Sequence, residues 1–279
     1  MVPIPSSAEV DALAAVARSI LTQAVRKLPN AAMSAIRLFV PVPIRSGDDL
    51  WLDGERAHYL TRVLRVRSGD TIVVFDGRSG EYPAVIGEID RQRVQLRPGP
   101  NSSRDLESPL SIRLIQGISR GERMDFVVQK ATELGVQQIT PVHTAYSVVR
   151  LGNDRAGKKI GHWERIAQGA CEQCGRNILP VIDAAADLKE VLAEPVGGSR
   201  LILQAGSGES LGNLRQIDDS LTLLIGPEGG LNEAEIALAI SCGFQPVSLG
   251  PRILRTETAA LAAVAILQSR FGDFRRIDN

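Results

Sequence analysis

The chain has 279 residues, of which 44% are hydrophobic, and its 32 basic residues balance its 32 acidic ones, so the formal net charge is zero. This length suits one or two domains with a sizeable core, and the balanced charge gives no sign of a nucleic-acid partner. Three cysteines are too few for a disulfide framework, which favours a reducing cytoplasm, and no apolar run reaches the length of a membrane span.

The first 34 residues differ in composition from the rest. The run from residue 8 to 28 is rich in Ala, Val, Leu and Ile at helical spacing, but Glu9 and Asp11 interrupt it, which excludes a signal peptide. The same acids argue against a mitochondrial presequence, which stays an alternative. We interpret residues 1–34 as a dispensable extension, or as the product of a start codon upstream of a true start at Met33.

Short strands and turns are predicted next. Runs of β-branched and alternating residues indicate four strands, over residues 37–40, 71–75, 82–89 and 93–96. Between the first two, residues 58–65 predict one short helix with apolar Leu60 and Val63 on one face. Arg62 and Arg65 fall beside that face, and they form the nearest approach to a basic patch in this half of the chain.

Strands and helices alternate after a polar linker at residues 98–109. Strands are predicted at residues 112–118, 139–142, 201–204, 221–225 and 246–249. Helices are predicted at residues 123–134, 160–174, 232–243 and 256–270, with a further short one after residue 187. Asp187 with Glu190, and Asn232 with Glu235, have the spacing of capping boxes. This alternation indicates an α/β fold with a mainly parallel sheet.

The most informative segment is residues 223–231, where a buried strand runs into a proline and three glycines before a capped helix. Glycines at Gly226, Gly229 and Gly230 allow backbone amides to approach a ligand, and a branched side chain at Gly229 is expected to fill that space. A tight turn between strand and helix is the alternative, although it needs only one or two glycines.

A second strand, loop and helix of this kind occupies residues 249–259. Arg252, Arg255 and Glu257 cluster in its Gly-Pro loop. Thr256 has a residue type that caps helices, and Glu257 then only favours the helix dipole. Capping does not explain two arginines beside a second glycine loop.

Other patterns favour packing over chemistry. Cys171 and Cys174 form a CxxC pair, but zinc would need a second pair and only Cys242 remains, so both are interpreted as packing residues on a helix. Residues 201–208 imitate a dinucleotide-binding loop but lack its third glycine. The three widely separated histidines are interpreted as non-catalytic: His58, His143 and His162.

The two glycine loops together, residues 226–230 and 249–259, closely resemble the ribosomal RNA small subunit methyltransferase E family of the SPOUT superfamily of knotted methyltransferases. Two upstream segments match the same pattern, at residues 130–136 and 172–176. The β segment from residue 36 to 96 resembles the small PUA-type RNA-binding domain of that family. The resemblance covers about residues 35 to 279.

This resemblance implies an α/β fold with a C-terminal SPOUT domain, at residues 105–279, that has a deep trefoil knot and a mainly parallel sheet. A small PUA-like β-barrel domain at residues 35–104 precedes it. The implied activity is S-adenosyl-L-methionine-dependent methylation of N3 of a uridine in 16S rRNA, near the decoding centre. A cytoplasmic homodimer acting on 16S rRNA or the assembled small ribosomal subunit is expected, without a metal. A different RNA target and a non-catalytic RNA-binding assembly factor are the alternatives.

The resemblance also implies which residues hold the cofactor. Three loops, after Leu203, after Ile225 and after Leu249, would cradle S-adenosylmethionine. The predicted cofactor residues on these loops are Leu203, Ile225, Gly226, Glu228, Gly229, Gly230, Leu249, Gly250, Ile253 and Leu254.

Uridine N3 carries a proton that it must lose, so a base or a cation that stabilises the uridylate is required. Arg255 is the candidate for stabilising the anionic uracil, and Glu257 is a candidate proton acceptor. Candidate RNA contacts, which would hold phosphates, are Arg62, Arg65, Arg120 and Arg176.

Overall fold

A computed structural model describes residues 36–147, 153–206 and 208–275. The proposed N-terminal extension at residues 1–34 lies outside the described residues. Within the described part, the chain forms two β-sheets, each with its own hydrophobic core. No helix in this part is long and apolar enough to cross a lipid bilayer.

The first sheet is five-stranded and curled into a half-barrel, in agreement with the PUA-like architecture expected. Its strands are β1 (Arg37–Phe39), β2 (Leu50–Asp53), β3 (Thr71–Phe75), β4 (Glu81–Ile89) and β5 (Arg93–Pro98). Their spatial order is β1-β3-β4-β5-β2, with β1 parallel to β3 and the other pairs antiparallel. Strand β2 was not predicted, because it has only four residues and follows the polar run at residues 45–49.

The helix of this half begins earlier than predicted and changes type midway. Helix α1 (Gly54–His58) continues directly as a π-helix (Tyr59–Val63), in which the N–H of Leu64 donates to the carbonyl of Tyr59, five residues back, at 3.0 Å. This wider turn changes the angular spacing of side chains. Leu60 is therefore fully buried as predicted, whereas Val63 is 59% exposed and does not share its face.

The second sheet is wholly parallel, as the alternation of strands and helices predicted. Its strands are β6 (Ser111–Gly117), β7 (Gln138–His143), β8 (Val181–Ile182), β9 (Ala186–Asp187), β10 (Ser199–Leu203), β11 (Glu209–Ser210), β12 (Ser220–Ile225) and β13 (Gln245–Ser248). The order is β11-β13-β10-β12-β6-β7-β8, and β9 also pairs with β7. Every residue of β12 after Ser220 is buried, as expected for a strand covered on both faces.

Helices pack against this sheet. They are α2 (Glu122–Glu133), α3 (Asn153–Cys174), α4 (Leu188–Ala193), α5 (Glu233–Ser241) and α6 (Thr256–Phe271). The capping box at α5 is confirmed, since Asn232 Oδ1 accepts from the Glu235 N–H and the Glu235 carboxylate accepts from the Asn232 N–H. The capping box predicted at Asp187 is wrong. That residue pairs with β7 as part of β9, and its side chain makes no capping bond to α4.

The two halves meet at a buried joint. Phe39, Phe75 and Cys171 form a small apolar cluster there, which agrees with the interpretation of Cys171 as a packing residue. Burial raises the pKa of the Cys171 thiol to about 12. Beside the cluster, the Phe39 N–H donates to the Glu172 carboxylate at 2.9 Å, and burial raises the pKa of that carboxyl. The joint therefore ties the first strand of one sheet to helix α3 of the other half.

Candidate functional site

A cavity of about 590 Å³ opens at the carboxyl ends of three neighbouring strands, β13, β10 and β12. This is the edge at which open parallel sheets bind ligands, and the volume lies in the range of roughly 300–1,000 Å³ typical of small-molecule sites. The loops after these strands form its walls, so the structure brings together the three loops that the sequence singled out. All of the predicted cofactor residues except Gly229 line the cavity.

Two glycines in the wall have backbone conformations that other residues avoid. Gly230 has φ of +74° and Gly250 has φ of +92°, and a Cβ added at either would meet no atom within 4 Å. Turn geometry therefore explains these two glycines by itself, while the lack of a side chain also keeps their part of the wall open.

Gly229 does not take the position expected of it. Gly229 does not line the cavity. A Cβ added to it would lie 2.8 Å from Cβ of Tyr146, which belongs to the turn after β7. The expectation that a side chain at Gly229 would fill ligand space is therefore wrong: glycine is needed there because Tyr146 lies against the loop backbone.

A buried hydrogen-bond network that the sequence did not reveal holds two of the loops together. The Thr256 hydroxyl donates to the carbonyl of Gly226 at 2.6 Å and accepts from Nε2 of Gln116 at 2.9 Å. Gln116 is fully buried near the end of β6, and a polar residue within an otherwise apolar predicted strand was the available signal. Thr256 is the first residue of α6 and makes this link, so it does not cap the helix.

Glu228 links the glycine loop to the segment before α2. Its Oε1 accepts from the Arg120 backbone N–H at 3.0 Å and from Nη1 of Arg123 at 2.8 Å. Partial burial would raise the pKa of the Glu228 carboxyl, but these hydrogen bonds and the Arg123 charge outweigh it and lower the pKa. The carboxylate therefore stays charged and forms the wall between the cavity and a second, open cleft, which Arg120 also lines.

Of the two predicted catalytic residues, only Arg255 lines the cavity. Arg255 and Arg252 are exposed and line the cavity. Glu257 does not line it, although its neighbours Arg255 and Thr256 do, because successive helix positions point about 100° apart. One oxygen of its carboxylate, Oε2, is buried without a hydrogen-bond partner among the described residues. The geometry thus leaves Arg255 as the candidate for contact with a substrate and does not support Glu257 as a proton acceptor.

The four arginines predicted to contact RNA differ in their exposure to solvent. Arg62, Arg65 and Arg120 are exposed. Arg176 is only 3% exposed, and its guanidinium donates to the Glu107 carboxylate at 2.7 Å and to two carbonyl oxygens at 2.8 Å. Its interpretation as a phosphate contact does not fit this position, because its charge is buried and its donors are used within the protein.

Two family models of known proteins match this chain, one in each half. A family model for an RNA methyltransferase domain matches residues 106–268, and one for an RNA methyltransferase PUA domain matches residues 52–99. The ribosomal RNA small subunit methyltransferase E of Buchnera aphidicola (subsp. Acyrthosiphon pisum) is 34% identical over 240 residues, covering 86% of this chain and 95% of the relative. The enzyme of the same name from Bacillus subtilis is 29% identical, over 77% of this chain and 88% of the relative.

Solved structures agree. The crystal structure of a ribosomal RNA small subunit methyltransferase E from Neisseria gonorrhoeae, bound to S-adenosyl methionine, has a TM-score of 0.82 at 39% identity. A methyltransferase from Legionella pneumophila, also in complex with bound SAM, has a TM-score of 0.82 at 38% identity. Each comparison covers 86% of this chain and 99% of the other.

Proposed function

This chain belongs to the ribosomal RNA small subunit methyltransferase E family and is an S-adenosylmethionine-dependent rRNA methyltransferase, and we propose that it methylates N3 of a uridine in 16S rRNA. The proposal includes a deep trefoil knot within residues 105–279 and an RNA-binding domain at residues 35–104. It also places the enzyme in the cytoplasm, which agrees with its three free cysteines.

The residues around the cavity fit S-adenosylmethionine. Leu203, Ile225 and Leu249 offer apolar surface for an adenine ring, and the backbone at Gly230 and Gly250 offers hydrogen-bonding groups to polar atoms. When bound, S-adenosylmethionine supplies an electrophilic methyl group. What the chain must add is a pyrimidine held in line with that group, since positioning accounts for much of the rate of such a transfer.

Arg255 is the residue we assign to the substrate. It is exposed at the cavity wall, and its guanidinium carries a permanent charge that would stabilise a uracil as N3 loses its proton. Thr256 follows it directly and is fixed by its bond to Gly226. The backbone of Arg255 is therefore held in place relative to the glycine loop, so little rearrangement is needed when substrate binds.

The observation that carries this proposal is the meeting of three glycine-bearing or apolar loops around one cavity with an exposed arginine. The test is transfer of tritiated methyl from S-adenosylmethionine to small ribosomal subunits that lack this methylation, with the modified nucleotide mapped by primer extension. We expect one labelled uridine in 16S rRNA. Labelling of another RNA would favour the first alternative, and cofactor-independent RNA binding without transfer would favour an assembly factor.

The RNA surface that we propose runs over both halves. Arg62 and Arg65 lie on and just after the π-helix, and Arg65 has φ of +55°, which is unusual for a residue other than glycine. Irregular backbone of this kind often occurs at functional sites. On the other half, Arg120 lines the open cleft beside Glu228. The substrate is proposed to be 16S rRNA or the assembled small subunit.

We also expect the enzyme to act as a homodimer. The apolar helix α6 does not offer a free pairing surface, because half of its apolar residues are buried within the monomer, including Ala260, Val264 and Leu267, and none of the others is fully exposed. Ile253 is a better candidate because it is 90% exposed on a loop that lines the cavity. A partner covering this loop would remove an apolar side chain from water and add its own surface to the site.

A further inference from the structure

Tyr146 is a large aromatic residue that the hydrophobic core does not use. It is 53% exposed in the turn after β7. The turn is held firmly, because the Thr144 N–H donates to the Ser147 hydroxyl at 2.9 Å and the Ala145 N–H donates to the Glu235 carboxylate at 2.7 Å. Glu235 also caps α5, the helix that follows the glycine loop. The turn that carries the Tyr146 ring is thus hydrogen-bonded to α5, in the half of the molecule that contains the cavity.

Tyr146 lies directly against the glycine loop. A Cβ at Gly229 would come within 2.8 Å of Tyr146 Cβ and 3.4 Å of its Cγ. Gly229 does not have a positive φ, so turn geometry does not require glycine there. Its lack of a side chain instead allows the tyrosine to lie next to Glu228 and Gly230, both of which line the cavity.

The surroundings are those of a substrate base. The open cleft that shares Glu228 with the cavity is lined by Arg120 and Arg123 together with Glu122. Arg123 pairs with Glu228, so the exposed Arg120 is the side chain in this cleft that is suited to an RNA phosphate. Enzymes that act on a base expose it from its stack and hold it against aromatic or apolar side chains. An exposed ring against Gly229, next to the Glu228 that borders both the cleft and the cavity, has the chemistry and place for this.

We propose that Tyr146 is a positioning residue that stacks on the target pyrimidine and presents it to the cavity. The inference rests on the proposed function, because it names the residue that holds the substrate of that reaction. The phenol hydroxyl is not needed for stacking, whereas the ring is.

The test compares Tyr146→Ala, Tyr146→Phe and wild type in methyl transfer to undermethylated small subunits. Stacking of a base on an aromatic ring contributes to the binding of the RNA. Loss of the ring in Tyr146→Ala should therefore lower kcat/KM for RNA by about tenfold or more. Tyr146→Phe should stay within about twofold of wild type, and calorimetry should show unchanged S-adenosylmethionine affinity in both variants. Phe274→Ala is the matched control, because Phe274 is 52% exposed but lines a separate cavity with Asp105 and Glu133.

Three results with the variants would overturn the inference. Unimpaired methylation by Tyr146→Ala contradicts stacking, and an equal loss in Tyr146→Phe assigns the effect to the hydroxyl. Weakened cofactor binding that accounts for the whole loss would make the ring a cover for the cofactor instead. If Tyr146→Ala unfolds at a lower temperature, Tyr146→Leu, which keeps an apolar contact with Gly229, decides the same question. A wild-type chain that labels no RNA contradicts the proposed function as well, whereas the other results leave it standing.

Discussion

Thr256 shows how one hydroxyl can shape the cavity that we propose holds the cofactor. It is buried, it donates to Gly226 and it accepts from Gln116, so it joins the glycine loop, helix α6 and strand β6. Valine has nearly the same shape but can make neither bond, and a buried group left unpaired costs roughly 1–3 kcal/mol. We expect Thr256→Val to raise the dissociation constant for S-adenosylmethionine about tenfold, measured by calorimetry, and to lower the melting temperature.

Thr256→Ser is the matched control because it keeps the hydroxyl and loses only a methyl group. Its cofactor affinity should remain within about twofold of wild type. Equal affinity in Thr256→Val and wild type would mean that the loops keep their positions without this link.

At the residue scale, the sequence predicted the walls of the cavity but not what fixes them. Glycines next to buried strands indicated Gly230 and Gly250, because backbone freedom is a property of the residue itself. The pairing of Gln116 with Thr256 spans 140 positions and depends on how distant loops meet. The same limit explains Gly229 and Arg176, whose surroundings are set by Tyr146 and Glu107.

At the scale of elements, the helix of the first half carries the sharpest prediction. The π-helix and the residues just after it present Arg62 and Arg65 to solvent. If both contact RNA phosphates, Arg62→Ala with Arg65→Ala should flatten the salt dependence of subunit binding by roughly 1.4–1.8 units, or about 0.7–0.9 for each contact. Affinity for S-adenosylmethionine should not change, because neither residue lines the cavity.

The control for this double variant removes the same charge from elsewhere in the same half. Arg78→Ala with Arg91→Ala alters two exposed arginines in turns between strands. Its salt slope should match wild type. Equal slopes for all three proteins would show that Arg62 and Arg65 only solvate a helix face, and the RNA surface would then have to lie on the other half.

Element types followed from local patterns, and errors arose where neighbours altered the local geometry. The alternation of apolar strands and helices predicted the parallel sheet, and the capping box at Asn232 predicted the start of α5. The i→i+5 bond at Leu64 was not predictable, since a helical pattern at residues 58–65 does not distinguish α from π. Strand β2 was missed because a four-residue edge strand has little periodicity to detect.

At the scale of the whole molecule, the joint between the halves fixes the helix that we propose binds RNA relative to the cavity. Arg37 of β1 donates to Asn177 Oδ1 at 2.8 Å and to the carbonyl of Arg176 at 3.2 Å, and the Phe39 N–H donates to the Glu172 carboxylate at 2.9 Å. Separating the halves would break these part-buried hydrogen bonds and expose the apolar cluster of Phe39, Phe75 and Cys171 to water. The two halves should therefore bind RNA as one rigid surface.

The proposed homodimer is the remaining expectation for the whole molecule, and Ile253 provides its test. Burial of an isoleucine side chain contributes roughly 1.5–3 kcal/mol, and a two-fold interface buries it twice. Ile253→Asp should therefore raise the dimer dissociation constant by about 100-fold or more, giving monomers in sedimentation at micromolar concentration. The fold should tolerate the change, because Ile253 is exposed and the positive charges of Arg252 and Arg255 lie beside the negative charge of the new aspartate.

The control is Ile240→Asp, at an exposed isoleucine of α5, which should remain dimeric. A dimeric Ile253→Asp would place the interface elsewhere, and a wild-type monomer with full methyl transfer would refute the homodimer itself.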